Sequence, residues 1–515
     1  MGLVPADDSE TTGEQKKGLV SADNSETTRE QKMGLVSTDN SETGEKSFRS
    51  LEILKLDMDK EFDEQHFGVD YGKLENGLVY YVKCNSKPKQ RAALSLAVKV
   101  GSVLEEEDER GVAHIVEHLA FSATKKYANH NIVKFLESIG ANFGPCQNAS
   151  TSFDETIYDL LVPIDKPELL SEAIEVLAEF SSEIRFAEED LEKERGAVME
   201  EYREDRDADG RISDDYWTLV LQGSKYAERL PIGLENVIKT VSCQSLKQFY
   251  QKWYHMGNMA VIAVGDFSDT KSVIELIKTH FGHKHSALDP PPIPQFPVPS
   301  HEDPRFSYFV EPEASESAVC INYTMPVDGQ KTVKDYRDML VRALFREALN
   351  RRFYKISCRK DPPYFSCSIT GGILVARVRL HGFTEREISV ARAILMSSSE
   401  SEYMERDQVE STDLQDSYAL HFTDNVGIIG IEYEAQLDKS LLPDILASEV
   451  SKIAERCWTS CSCVIQIVEP HASATIDDMK NIVMKINKLE KEKSISQWDD
   501  EHVPEEIVDS KPNAG

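Results

Sequence analysis

The sequence predicts an α+β fold made of two similar domains, each a sheet with helices packed on it. Three observations point there. Stretches of strand and helix character interleave from residue 71 to 285 instead of segregating. A Pro-rich stretch, 286–305 (SALDPPPIPQFPVPSHEDPR), then reads as a semi-rigid linker. Beyond it the alternation resumes and one phrase recurs. A helix ending QFYQKWY (Gln248–Tyr254) leads into MAVIAVGD (Met259–Asp266), much as SKIAERCW (Ser451–Trp458) leads into CVIQIVEP (Cys463–Pro470). Trp253 and Trp458 stand at nearly the same offset from their strands, which suggests a duplicated domain.

The elements follow in order. The chain starts with three copies of a 16-residue polar unit, at residues 2–17, 18–33 and 34–48. Three apolar residues per copy bury nothing, so residues 1–65 are expected to form an unstructured acidic tail. Gly77–Lys83 and Ala92–Val100 are rich in β-branched and aromatic residues and read as strands. Gly111–Ser122 and Asn131–Ile139 read as helices, Thr156–Val162 as a strand, Glu168–Ile184 and Glu188–Arg206 as helices. Ser245–Tyr254 reads as a helix and Met259–Val264 as a strand, closing a first domain over 66–285. In the second domain, 306–487, Phe306–Val310, Val319–Tyr323, Phe365–Ile369 and Leu374–Leu380 read as strands, and Tyr336–Tyr354 and Glu385–Met404 as helices. From Lys488 the chain turns charged and reads as a second tail.

Composition narrows the function. Lys+Arg 58 against Asp+Glu 90 leaves a net charge of −32, a poor basis for binding a phosphate backbone, so no nucleic-acid partner is expected. No apolar run approaches the ~20 residues a membrane helix needs. The nine cysteines are odd in number and spread out, which suits a reducing compartment better than a disulfide scaffold. Cys457, Cys461 and Cys463 form the one tight group, and ordinary strand cysteines explain them better than a zinc cluster does. The expected setting is soluble and cytoplasmic, with plastid and mitochondrion left open.

The sharpest signal is GVAHIVEHLAFSAT (Gly111–Thr124), which holds His114-Ile-Val-Glu117-His118. Chance would place an H-x-x-E-H in a chain of this composition about 0.03 times. Residues i and i+4 share a helix face, so both imidazoles reach one ion. Glu117 lies beside them, placed to take a proton from a water the metal polarises. The helix Glu188–Arg206 offers carboxylates for a third ligand. Leu191, Val198 and Tyr202 mark its buried face, and both Glu194 and Glu201 lie at one edge of that face, about 60–80° round the wheel. Glu200 and Glu188 do not. The wheel leaves Glu194 and Glu201 both open.

His114–His118 followed by AFSAT, then ERGAVMEEYR (Glu194–Arg203), resembles the pitrilysin/insulinase family of zinc metallopeptidases, and within it the PqqL-type bacterial proteases and similar plant proteins. NGLVYYV (Asn76–Val82), QNASTSFDETIY (Gln147–Tyr158), PIGLENVI (Pro231–Ile238) and NMAVIAVGDF (Asn258–Phe267) add to the likeness. The resemblance implies a metalloendopeptidase with one Zn2+, bound by His114, His118 and Glu201, with Glu117 as the base. In the family's E-x6-E frame the last Glu is the ligand, so Glu201 is expected to bind and Glu194 to support. The span from His118 to Glu201 exceeds the family's usual one, and the excess fits in loops near Pro145–Phe153 and before Glu194. Asn148 and Ala149 resemble the family's substrate-strand segment, so they are expected to bind an extended peptide.

The likeness is strong over about 66–285 and weak over 306–480. It also implies an Arg and a Tyr seven residues apart that grip substrate. Tyr364 could match that Tyr, but Ser357 holds the Arg position and Arg359 is out of register. The family's larger members are about twice this length and its smaller ones pair up. The chain therefore reads as one half of a clamshell that meets a second half-subunit or a second copy. The rival reading is a non-catalytic assembly subunit of the same fold. His280, His283 and His285 form another group, read as surface histidines.

Overall fold

The computed structural model describes residues 47–62, 68–284, 291–324, 330–360, 364, 373–459 and 462–498. The N-terminal repeats as far as residue 46, the Phe365–Ile369 strand expectation, Cys461 and His285 lie outside them, as do the side chains of Cys457 and Trp458.

The first half opens with β1 (Asp70–Lys73), β2 (Val79–Cys84) and β3 (Arg91–Val98). Then come α1 (Val112–Ser122), α2 (Asn131–Ser138), β4 (Gln147–Thr151), β5 (Thr156–Pro163), α3 (Pro167–Ser182) and α4 (Glu188–Glu204). It finishes with α5 (Ala208–Val220), α6 (Glu235–Thr240), α7 (Cys243–Trp253), β6 (Met259–Gly265) and α8 (Thr270–Phe281). Its six strands run β1-β2-β6-β3-β5-β4, with β2 and β6 parallel and the other pairs antiparallel.

β6 explains its own continuous apolar sequence. Met259, Val261 and Ala263 face the main helical core, while Ala260, Ile262 and Val264 face a second apolar layer on the other side of the sheet. A strand covered on both faces needs no polar alternation. β5, nearer the edge, alternates instead: Tyr158, Leu160 and Val162 are fully buried and the residues between them, Asp159 among them, are partly buried. Asn76 ties the turn before β2 to the end of α8, its amide donating to the carbonyls of Phe281 (2.8 Å) and Lys284 (3.0 Å).

The second half holds β7 (Arg305–Val310), β8 (Ala318–Thr324), α9 (Val333–Ser357), α10 (Ile373–His381) and α11 (Glu385–Met404). These lead to α12 (Ser411–Asp424), α13 (Ile431–Leu441), α14 (Ala447–Thr459), β9 (Ser462–Glu469) and α15 (Ile476–Lys491). β9 sits between β7 (parallel) and β8 (antiparallel). β6 has the same arrangement, between β2 (parallel) and β3 (antiparallel). The duplication suggested by the Trp253 and Trp458 phrases is thus present as topology.

The two halves each lend the other a helix. α12 crosses the free face of the first sheet, with Tyr418, Ala419 and Phe422 packed on Val79, Tyr81, Ile262 and Val264. Tyr81 and Tyr418 stack at 5.8 Å, and Gln415 donates to Asp159 at 2.7 Å. In return α5 lies on the second sheet. Asp215 accepts from Ser307 (2.6 Å) and Gln466 (2.7 Å), and Arg211 grips Glu311 with two nitrogens.

Three sequence expectations need correction. Leu374–Leu380 is helical, within α10, with Val375, Ala376 and Val378 buried. A short apolar run fits a buried helix as well as a strand, and periodicity does not separate them. Residues 48–62 are no tail. Phe48 and Leu51 are buried with Tyr403 and Ala435, and Leu54, Leu56 and Phe62 pack on the second core. Lys439 donates to the carbonyls of Phe48, Arg49 and Leu51. The polar repeat ends at this point, and the residues after it carry enough apolar surface to dock. At the other end α15 continues to Lys491, and Ile495 and Trp498 are buried. Residues 291–304 of the Pro-rich segment carry no helix or strand, β7 taking over at Arg305, and Ile293 and Phe296 pack on the first core. Among the described residues no helix is long and apolar enough to cross a membrane.

Candidate metal centre

α1 carries the H-x-x-E-H. Ile115, Val116, Leu119 and Ala120 bury one side of it, which fixes the opposite side towards α4. Its N-terminus is held by a distant carboxylate: Glu105 accepts the backbone N–H groups of Gly111 (3.0 Å) and Ala113 (2.9 Å). Burial pushes the Glu105 carboxyl up to about 8, against the opposing pull of those N–H groups. Gly111 enters the helix at φ 109, where a Cβ would also stand 3.3 Å from the Gly233 Cα.

Across from α1, α4 brings up Glu194 and Glu201. Oε2 of Glu201 lies 3.2 Å from Nε2 of His114 and 3.4 Å from Nε2 of His118. The two Nε2 atoms are 3.3 Å apart. Ligands about 2.0–2.1 Å from a tetrahedral zinc stand about 3.3 Å from one another, so these three atoms have the spacing of one face of that tetrahedron. Two imidazoles and a carboxylate are also the donor set zinc favours when one position stays open. Among the described residues these three are the group that could hold a metal.

The electrostatics agree with the geometry. Glu117, Glu194 and Glu201 crowd the two imidazoles. Burial alone would push His118 down, but Glu194 and Glu201 outweigh it and raise the ring to about 10. Hydrogen bonds from His114 and His118 hold the Glu201 carboxyl well below the ordinary range. The pocket therefore calls for positive charge. A proton on His118 supplies one unit, and a divalent ion on the same atoms supplies two.

Glu194 is not a fourth ligand in this arrangement. Its Oε2 lies 3.4 Å from Nδ1 of His118, on the ring's far side from Glu201, and its Oε1 lies 3.8 Å from Nε2 of His130. Glu117 is buried, close enough for its charge to act on His118, and accepts a 2.6 Å hydrogen bond from Thr151 Oγ1.

Asn148 and Ala149 lie on β4, the outermost strand of the sheet, with the Asn148 side chain exposed. The N–H of Leu161 on β5 pairs with the Cys146 carbonyl, so alternation turns Asn148 and Ser150 towards β5. Ala149 and Thr151 then present their N–H and C=O on the outer side. Thr151, His130 and Glu105 carried no role in the sequence reading. Thr151 stood in the N-A-S-T phrase, but its bond to Glu117 depends on strand register. Tyr364 is spoken for locally, donating to the Phe353 carbonyl at 2.9 Å. His280 and His283 bond to Ser171 and to the Thr279 carbonyl, which accords with surface histidines.

Comparison with known proteins bears on this site. The sequence model of "Insulinase (Peptidase family M16)" matches residues 80–216, and that of "Peptidase M16 inactive domain" matches 240–361. The zinc protease PQQL-like of Arabidopsis thaliana is 66% identical over 473 residues, 92% of this chain and 50% of that protein. The probable zinc protease PqqL of Haemophilus influenzae is 27% identical, over 87% of this chain and 51% of its own length. The crystal structure of the first half of the periplasmic protease PqqL from Escherichia coli superposes with a TM-score of 0.77 at 23% identity, covering 85% of this chain and 99% of that one. The chain belongs to the insulinase family, peptidase family M16. It spans about half the length of the curated relatives it matches.

Proposed function

We propose that this chain is the metal-bearing half of a zinc-dependent endopeptidase, with His114, His118 and Glu201 as ligands and Glu117 as the general base. The observation that carries the reading is the face formed by the three ligand atoms, with the Glu117 carboxylate beside it. Zinc held there supplies Lewis acidity toward a peptide carbonyl and toward water. The residues do the rest. Ala149 offers its outer N–H and C=O to an extended peptide, with the Asn148 amide beside it. Glu117 takes one proton from the attacking water as its oxygen bonds to the carbonyl carbon. It then hands that proton to the departing nitrogen as the C–N bond breaks. Glu194 holds the His118 ring through Nδ1, so that Nε2 keeps its aim.

The chain spans about half the length of the curated relatives it matches, and a second half-clamshell would enclose the peptide and supply the grip Tyr364 does not. The net charge of −32 favours basic peptides as substrates, by attraction that salt would screen. The names of the zinc protease relatives support the metal and the chemistry.

The test is cleavage of a quenched fluorescent basic peptide, with and without chelator, by wild type and by Glu117→Gln. The reading expects cleavage that chelator stops and that Glu117→Gln lacks while still holding zinc. A wild-type protein that binds no zinc would overturn it. Zinc bound without cleavage, and mass measurement showing a lone monomer, would direct the search to the second half.

A further inference from the structure

The bond between Thr151 and Glu117 has a direction. Thr156 Oγ1 donates to the Val100 carbonyl at 2.8 Å, so its single proton is committed. Thr151 Oγ1 lies 3.4 Å from it and receives nothing from that side. Thr151's own proton therefore goes to Oε2 of Glu117, at 2.6 Å. One carboxylate oxygen of the buried base is pinned, and the other is left to take the water's proton. The backbone of the same Thr151 stands on the outer edge of β4, two residues from Ala149.

We propose that Thr151 is a positioning residue, joining the strand along which substrate pairs to the base that deprotonates water. The inference rests on the peptidase reading above. A peptide that engages β4 fully holds Thr151 in place, and Thr151 holds Glu117. Peptides too short to pair with β4 then lose kcat as well as binding.

Thr151→Val removes the donor and keeps the shape, and Thr151→Ser keeps the donor. Both are compared with wild type in three measurements: peptide kinetics, zinc affinity by chelator competition, and affinity for a peptide hydroxamate whose hydroxyl must bond to Glu117. The expected result for Thr151→Val is a fall in kcat of about tenfold or more with KM within about twofold, and a similar loss of hydroxamate affinity at unchanged zinc affinity. Thr151→Ser should recover to within about threefold. In a Glu117→Gln background, Thr151→Val should cost no further hydroxamate affinity. The proposal is overturned by wild-type kcat and hydroxamate affinity in Thr151→Val, by a Ser variant as impaired as the Val one, or by an undiminished loss in the Glu117→Gln background. If Thr151→Val does not fold, Thr151→Ala replaces it under the same outcomes. Hydroxamate affinity needs no turnover, so the comparison holds even if the chain cuts only with a second half. Cleavage that survives Glu117→Gln would count against the peptidase reading itself, separately from Thr151.

Discussion

The Glu194 carboxylate and the Glu201 carboxylate address opposite nitrogens of one ring: Oε2 of Glu194 is 3.4 Å from Nδ1 of His118, and Oε2 of Glu201 is 3.4 Å from Nε2. They are seven residues apart on α4, two turns, so one helix brings both carboxylates to the same ring, Glu201 as the proposed ligand and Glu194 as its proposed support. Removing Glu194 should therefore loosen the metal without abolishing its site. Glu194→Gln is expected to weaken zinc about 10–100-fold in chelator competition. Glu201→Gln should weaken it further still. Glu200→Gln, out in solvent with Arg203, should leave it unchanged.

If the proposed ligands hold zinc, the ion should stabilise the fold, because it would bind the folded arrangement of α1 and α4 and not the unfolded chain. Thermal unfolding is expected to move upward by the equivalent of about 2.7 kcal/mol at a free zinc level a hundred times Kd, and chelator should reverse it. A Glu201→Gln protein showing the same upward shift would place the stabilising ion elsewhere.

Asp159 predicts a pH dependence at the seam between β5 and α12. It accepts from Ser95 and Gln415, and burial, with Asp416 adding to it, pushes its carboxyl up to about 7. The folded chain thus holds this proton more tightly than the unfolded one, whose carboxyl titrates near the ordinary value of about 3.9. Stability from this group is fully present below that ordinary value and is lost as pH rises through about 7. Melting curves of wild type and Asp159→Asn across this range should diverge, wild type losing ground as pH rises. Parallel curves would remove Asp159 as the cause.

The lent helix α5 depends on Asp215. Its replacement by Ala leaves the buried Gln466 amide without that acceptor and frees Ser307. A loss of about 1–3 kcal/mol in denaturant unfolding is expected. A change within measurement error would mean that the apolar contacts alone hold the helix.

The docked segment 48–62 gives a fourth test site. Phe48→Ala empties a buried position beside Tyr403, with the two rings edge-on at 6.2 Å. The expected cost is about 3 kcal/mol, and protease accessibility of this stretch should rise with it.

How much of this was legible beforehand varies with the range of the interaction. The H-x-x-E-H was readable because its chemistry sits within five residues at helical spacing. Glu201 needed more: the wheel narrowed the choice to two carboxylates, and the E-x6-E likeness chose between them. Thr151 was hidden because its role depends on where β4 ends against β5. The contact of Gln415 with Asp159 joins residues 256 positions apart, which no local pattern encodes. Leu374–Leu380 was misread for the opposite reason. Its local pattern was clear, but it served two structures equally well.

The reciprocal loan of α5 and α12 has a consequence for biosynthesis. The first sheet is complete in sequence once Gly265 has been made, yet the helix that covers Val79, Tyr81, Ile262 and Val264 is not finished until Asp424. For more than 150 residues of synthesis a ribosome-bound chain carries that apolar face bare. Throughout this window the nascent first half is expected to offer that face to chaperones, as transiently exposed apolar surface does. If it is expressed alone it should go on doing so, since the cover arrives only with the second half.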